Sequence, residues 1–64
     1  MRITINGTAR ETDTTTLAAA LTEAGLTGHL ATALNGTFIP VAMRETTPVH
    51  DGDAIEALAP MQGG

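Results

Sequence analysis

The last four residues, Met61-Gln62-Gly63-Gly64, are the stretch of this chain whose types and spacing could do chemistry. Two successive glycines carry no Cβ, so their backbone can enter a narrow channel and approach a reacting phosphate without a side-chain clash. The group they would deliver is the α-carboxylate of Gly64. With seven glycines in 64 residues, a diglycine falls at a given end by chance in roughly one chain in 80, and glycine is common in frayed termini. The preceding residues argue for more than fraying. Asp51-Gly52-Asp53-Ala54-Ile55-Glu56-Ala57-Leu58-Ala59 reads as a turn followed by a strand, and Pro60 stops that strand just before the tail. An anchored strand that releases a short flexible tip suits a carrier of a reactive terminus. Gly63, Gln62 and Met61 are then the segment that threads a partner's active site, behind Gly64.

Other polar groups have plainer readings. His29, His50, Asp51 and Asp53 could suggest a metal, but neither histidine has a recognised ligand spacing, and Asp51-Gly52-Asp53 is turn chemistry. Glu56 beside Asp53 could be an acid–base pair, yet a solvated strand face accounts for it, since no pocket is built around the two. No catalytic residue, bound cofactor or metal is expected. The chain reads as a substrate of enzymes and not as an enzyme.

Composition narrows the classes further. Sixty-four residues make one small domain, near the lower limit at which a core suffices without disulfides or metal. There is no cysteine, hence no disulfide framework and no thiol nucleophile. A hydrophobic content of 42% is too high for a disordered chain, and the apolar residues are aliphatic, with Phe38 the only aromatic. Net charge is −4, with three arginines, Arg2, Arg10 and Arg44, spread along the sequence. Nucleic-acid binding needs clustered cations and, for single strands, aromatic platforms, so it is not expected. No apolar run has the length of a signal peptide or a membrane span, and a cytoplasmic protein is expected.

The elements that must position the tail follow from periodicity. Ile3 and Ile5 alternate with Arg2, Thr4 and Asn6 as in a half-buried strand. Asn6-Gly7 signals a two-residue hairpin, with Thr8 to Thr12 returning. The threonines at 12 and 14–16 can cap a helix whose apolar stripe is Leu17, Ala20, Leu21 and Ala24, and Gly25 stops it. Leu30 to Leu34 reads as a third strand, and Asn35-Gly36 as a second hairpin turn. Thr37 to Val41 returns briefly, limited by Pro40. Met43 to Val49 is irregular or a short helical turn. In the last strand Ile55 and Ala57 share one face while Glu56 and Leu58 share the other. One amphipathic helix across a mixed sheet of four or five strands buries these faces most economically, an α+β arrangement. The expected organisation is a domain over residues 1–60 and a flexible tail over 61–64.

A small ββαββ domain whose final strand runs into a diglycine resembles the ubiquitin-like β-grasp fold, and in detail the ThiS family of sulfur carrier proteins. The resemblance rests on Met1 to Gly7, Thr16-Leu17-Ala18-Ala19-Ala20-Leu21, Ala33-Leu34-Asn35-Gly36, Ile39-Pro40, Asp51-Gly52-Asp53-Ala54-Ile55-Glu56 and Gly63-Gly64, in that order along the whole chain. Family members often carry a basic residue after the Ile-Pro step and an aromatic soon after. Here the segment is Val41-Ala42-Met43-Arg44-Glu45.

The resemblance implies a mechanism. An E1-like adenylating enzyme of the ThiF type, using ATP, converts the Gly64 carboxylate into an acyl adenylate. A desulfurase system supplies persulfide sulfur to give a thiocarboxylate, and a thiazole synthase of the ThiG type accepts that sulfur for thiamin biosynthesis. The composition suits this role: without cysteine no internal thiol intercepts the sulfur, and without lysine the chain cannot receive isopeptide bonds on a side chain. Transient partners need an exposed apolar patch, for which Leu58 with Phe38 or Ile39 are the candidates. Two alternatives remain at this stage, a carrier of the molybdopterin synthase small-subunit type and a β-grasp module that binds without covalent chemistry.

Overall fold

The computed structural model describes residues 1–59, so Pro60, the tail residues 61–64 and the expected boundary between them lie outside the described residues. Five strands and one helix follow in the order β1 (Arg2–Ile5), β2 (Thr8–Glu11), α1 (Leu17–Glu23), β3 (Ala31–Leu34), β4 (Thr37–Ile39) and β5 (Ala54–Leu58). The strands form one mixed sheet in the order β2-β1-β5-β3-β4. The expected α+β β-grasp architecture is present, with five strands.

Two hairpins build the sheet, and in each an Asn-Gly pair makes the turn. Asn6 and Gly7 have φ of 52° and 83°, and Asn35 and Gly36 have 50° and 84°. Positive φ at both central residues is the type I′ geometry whose twist matches that of the flanking strands. The turns set the registers Ile5↔Thr8 and Leu34↔Thr37. The last strand then enters between the hairpins, parallel to β1 and antiparallel to β3.

At seven residues, α1 is too short to persist alone. Its ends are therefore satisfied from outside. Thr16 Oγ1 accepts from Ala19 N–H, while the Leu17 and Ala18 amides donate to the carbonyls of Thr47 and Arg44. At the other end Gly25, at φ 76°, donates to Thr22 O and Leu26 donates to Leu21 O. That bond pair is the Schellman arrangement, which closes a helix through a left-handed residue. Leu17, Ala20 and Leu21 of the expected stripe are buried, and Ala24 is half-buried against them.

Ile3, Ile5, Ile55 and Ala57 of the sheet meet Leu17, Ala20 and Leu21 of the helix, and Val49 closes the layer from the segment before β5. Leu17 is wholly buried, a burial that contributes about 2 kcal/mol. Of the two buried threonines, Thr12 and Thr32, Thr32 is the deeper: its hydroxyl donates to Ile39 O and accepts from Arg44 Nε.

Three expected boundaries move. Leu30 precedes β3 and Thr12 follows β2. Val41 does not continue β4: the strand ends at Ile39, and residues Val41–Met43 form a 3₁₀ turn, so the short helical turn lies ahead of the expected 43–49 stretch. Pro40, with φ −67° and no N–H, stops the ladder and starts that turn.

Candidate functional site

The expected reactive residue Gly64 and its approach, Gly63, Gln62 and Met61, lie outside the described residues. The site that can be built is their root, the strand β5 and its surroundings. The sequence Ala-Ile-Glu-Ala-Leu makes β5 two-faced. Ile55 and Ala57 enter the core, and Glu56 and Leu58 face solvent. As the middle strand it has partners on both sides.

Its beginning is fixed by the turn before it and by the β3–β4 hairpin. Asn35 N–H donates to Ala54 O at 2.8 Å, and Asn35 Oδ1 accepts from Ala54 N–H at 2.9 Å. The Asn35 amide also donates to Asp53 Oδ1 at 3.0 Å, while Asp53 Oδ2 accepts from the His50 N–H at 2.7 Å. These bonds stabilise the charged carboxylate. Asn35's amide, then the His50 backbone and the nearby His50 ring, hold the Asp53 carboxyl below the usual carboxylate value against the opposing effect of burial. Asp53 thus serves the turn, as its sequence reading held, with His50 Nδ1 3.9 Å from Oδ2. His29 lies in a separate groove, and among the described residues no three metal-ligating side chains converge.

The end of β5 is held differently. By Asn6, β1 has already turned into its hairpin, yet Ala57 still presents its N–H and C=O toward that side. The Asn6 side chain meets both: Oδ1 accepts from Ala57 N–H at 2.9 Å, and Nδ2 donates to Ala57 O at 3.0 Å. Sequence reasoning took both asparagines for turn formers only. A local Asn-Gly signal holds no information about which distant strand its side chain will meet.

The apolar surface lies on the outer face. Phe38 is 65% exposed and Leu58 62%. They flank a shallow depression lined also by Ala31, Thr32, Ala33 and Glu56. Ala33 pairs with Phe38, and Ala31 with Leu58, so β3 joins the two. Ile39 is on the opposite face, half-buried against the core. Adjacent strand residues point to opposite faces, and of the two alternatives it is Phe38 that shares a surface with Leu58. The depression runs into an open groove of about 350 Å³ lined by Gly28, His29, Leu30, Pro40, Val41 and Arg44, a neighbour of β5's exit that the sequence reading did not single out. Among the described residues no helix is long and apolar enough to cross a membrane.

Two solved structures are similar to this fold. The crystal structure of the thiamine biosynthesis protein ThiS from Geobacter metallireducens is similar at TM-score 0.85 and 29% identity, covering 100% of both chains. A solution structure of a thiamine biosynthesis protein from the same organism gives TM-score 0.77 and 29% identity over 100% of this chain and 88% of that one. A search of curated protein sequences gives no match. The ThiS family matches residues 3–64, which takes in both hairpins, the helix, the central strand and the diglycine. With nearly every residue inside that match, the chain belongs to the ThiS family of ubiquitin-like sulfur carriers.

Proposed function

We propose that this chain carries sulfur on the carboxyl of Gly64 for thiazole formation in thiamin biosynthesis. The observation that supports this most is the family match that runs without interruption into Gly63-Gly64. A carboxylate is ionised at neutral pH, with a reference pKa of about 3.5, and is a poor electrophile until one oxygen becomes part of a good leaving group. A ThiF-type adenylating enzyme, which binds the ATP, supplies that group. A Gly64 oxygen attacks the α-phosphorus, the α–β anhydride bond breaks, and pyrophosphate leaves. The terminal sulfur of a persulfide on the desulfurase system then attacks the acyl carbon and expels AMP. A thiol cleaves the resulting acyl disulfide at its S–S bond, leaving the thiocarboxylate on Gly64 and a new disulfide on the donor side. A ThiG-type thiazole synthase accepts the sulfur. The chain itself supplies no catalytic group and holds no cofactor in this scheme, which runs in the cytoplasm where ATP is available. Phe38 and Leu58 offer the apolar surface on which successive enzymes dock.

The test is mass spectrometry after incubation with the adenylating enzyme, ATP and a persulfide-generating desulfurase. The chain gains the mass of one oxygen-to-sulfur exchange, and fragmentation places it on Gly64. Deleting Gly64, or adding one bulky residue after it, abolishes the change while leaving stability nearly untouched. An unmodified chain beside a demonstrably active enzyme pair would leave a β-grasp binding module as the remaining reading.

A further inference from the structure

We infer that Asn6 is a positioning residue for the terminal chemistry, acting through Ala57. The inference rests on the sulfur-carrier reading and names the part of the fold that aims the tail. In β5, alternate residues turn their backbone groups to opposite neighbours. Ala54 meets Asn35 of the β3–β4 hairpin, whereas Ile55 O accepts from Asn6 N–H at 2.9 Å on the β1 side. The next residue facing that side is Ala57, seven residues before Gly64. No backbone of β1 reaches it, because Asn6 sits at φ 52° and has entered the turn. The Asn6 carboxamide has the donor and acceptor spacing of a peptide group and takes the place of the missing strand residue.

Without that side chain the hold on β5 from the β1 side ends at Ile55, two residues or about 7 Å earlier along the strand. Only the antiparallel partner β3 then guides the exit. A strand held from one side can swing about that edge. The orientation of the end of β5 at Ala57 and Leu58 is therefore shared between β3 and a side chain of the β1–β2 hairpin. In-line attack on a phosphorus tolerates little angular error, and misplacement on the scale of 1 Å costs up to about a hundredfold in rate.

The experiment compares Asn6→Gly with Asn35→Gly. Glycine accepts positive φ, so each variant keeps its hairpin turn. Each also loses a side chain that bonds the backbone of β5, one at the strand's exit and one at its entry, so Asn35→Gly controls for lost stability. Three quantities are measured well below the melting temperature: hydrogen exchange of the Ala57 amide, and kcat and KM for pyrophosphate release with the full-length chain, ATP and the adenylating enzyme. Asn6→Gly is expected to expose the Ala57 amide to exchange and to lower kcat by about tenfold with KM little changed, while Asn35→Gly keeps wild-type kinetics. Asn6→Asp, which keeps the acceptor but sets a carboxylate oxygen against Ala57 O, is expected to lower kcat at least as much as Asn6→Gly.

Equal kinetics for Asn6→Gly and wild type, with Ala57 exchange accelerated, would overturn the inference and leave Asn6 a structural residue. A raised KM at constant kcat would overturn it too, since that is the mark of a direct contact with the enzyme. If the wild type releases no pyrophosphate with an enzyme active on another carrier, the sulfur-carrier reading itself fails, and the role of Asn6 fails with it.

Discussion

Asp53 shows how a single carboxylate is recruited by its neighbours. Asn35 and the His50 amide favour its charged form, so its folded-state pKa lies below the ordinary 3.8. The stabilisation this represents is complete above the unfolded value and disappears as pH falls through the folded one. Urea unfolding of the wild type followed from pH 6 downward should therefore show a loss of stability below pH 4 that Asp53→Asn shows to a smaller degree. A difference between the two that is constant with pH would remove Asp53 from the acid response. Leu58 and Ala57 give a second test at this scale. They are adjacent, yet one is 62% exposed and the other 5%. Leu58→Asp should change stability by no more than about 0.5 kcal/mol and weaken binding to the adenylating enzyme by about tenfold or more. Ala57→Asp, which buries an unpaired charge, should prevent folding. Titration calorimetry and circular dichroism read the two outcomes, and a folded Leu58→Asp that binds normally would take Leu58 out of the docking surface.

Elements were legible where one local rule decides them. Alternation at Ile3 and Ile5, the Asn6-Gly7 and Asn35-Gly36 turns, a cap from the threonine cluster and the Gly25 stop each act within a few residues, and each element is present with its ends within a residue or two of the expected ones. The stretch after Ile39 was less legible because the competing forces are distant. Its 3₁₀ turn is followed by Arg44, whose guanidinium donates to Leu30 O and to Thr32 Oγ1, and whose carbonyl accepts from Ala18 N–H at the start of α1. A residue that joins a helix to a strand through an irregular segment leaves no periodic trace. Arg44→Ala should cost about 2 kcal/mol, since it removes charge-assisted bonds to groups with little access to water. Arg44→Lys should recover only part of this, as an ammonium lacks the planar fork that serves two acceptors. Chemical denaturation measures both, and an Arg44→Ala protein of wild-type stability would show the contacts to be dispensable.

Across the whole molecule, two of the three scattered arginines of a chain of net charge −4 have local tasks. Arg2 faces Glu11 across the first hairpin at 3.1 Å, an exposed pair that contributes less than about 1 kcal/mol, and Arg44 is absorbed into the fold. What remains at the exit of β5 is apolar, with Phe38, Leu58 and Val41 facing outward. The sequence reading named Leu58 with Phe38 or Ile39, without Val41, and the structure sets Phe38 rather than Ile39 on the face of Leu58. That reading missed the support beneath this surface, because the pairing of Asn6 with Ala57 spans 51 positions and depends on which strand takes the centre of the sheet.

The strand that is fifth in order is third in space. A polypeptide still emerging during synthesis can form its two hairpins early, but each is a two-stranded piece with little stability of its own. They become one sheet only when residues 54–58 arrive and slot between them. Products that end before residue 54, or that lose β5 to proteolysis, therefore lack a core. The topology thus makes completion of the sheet and of its core wait for the final strand.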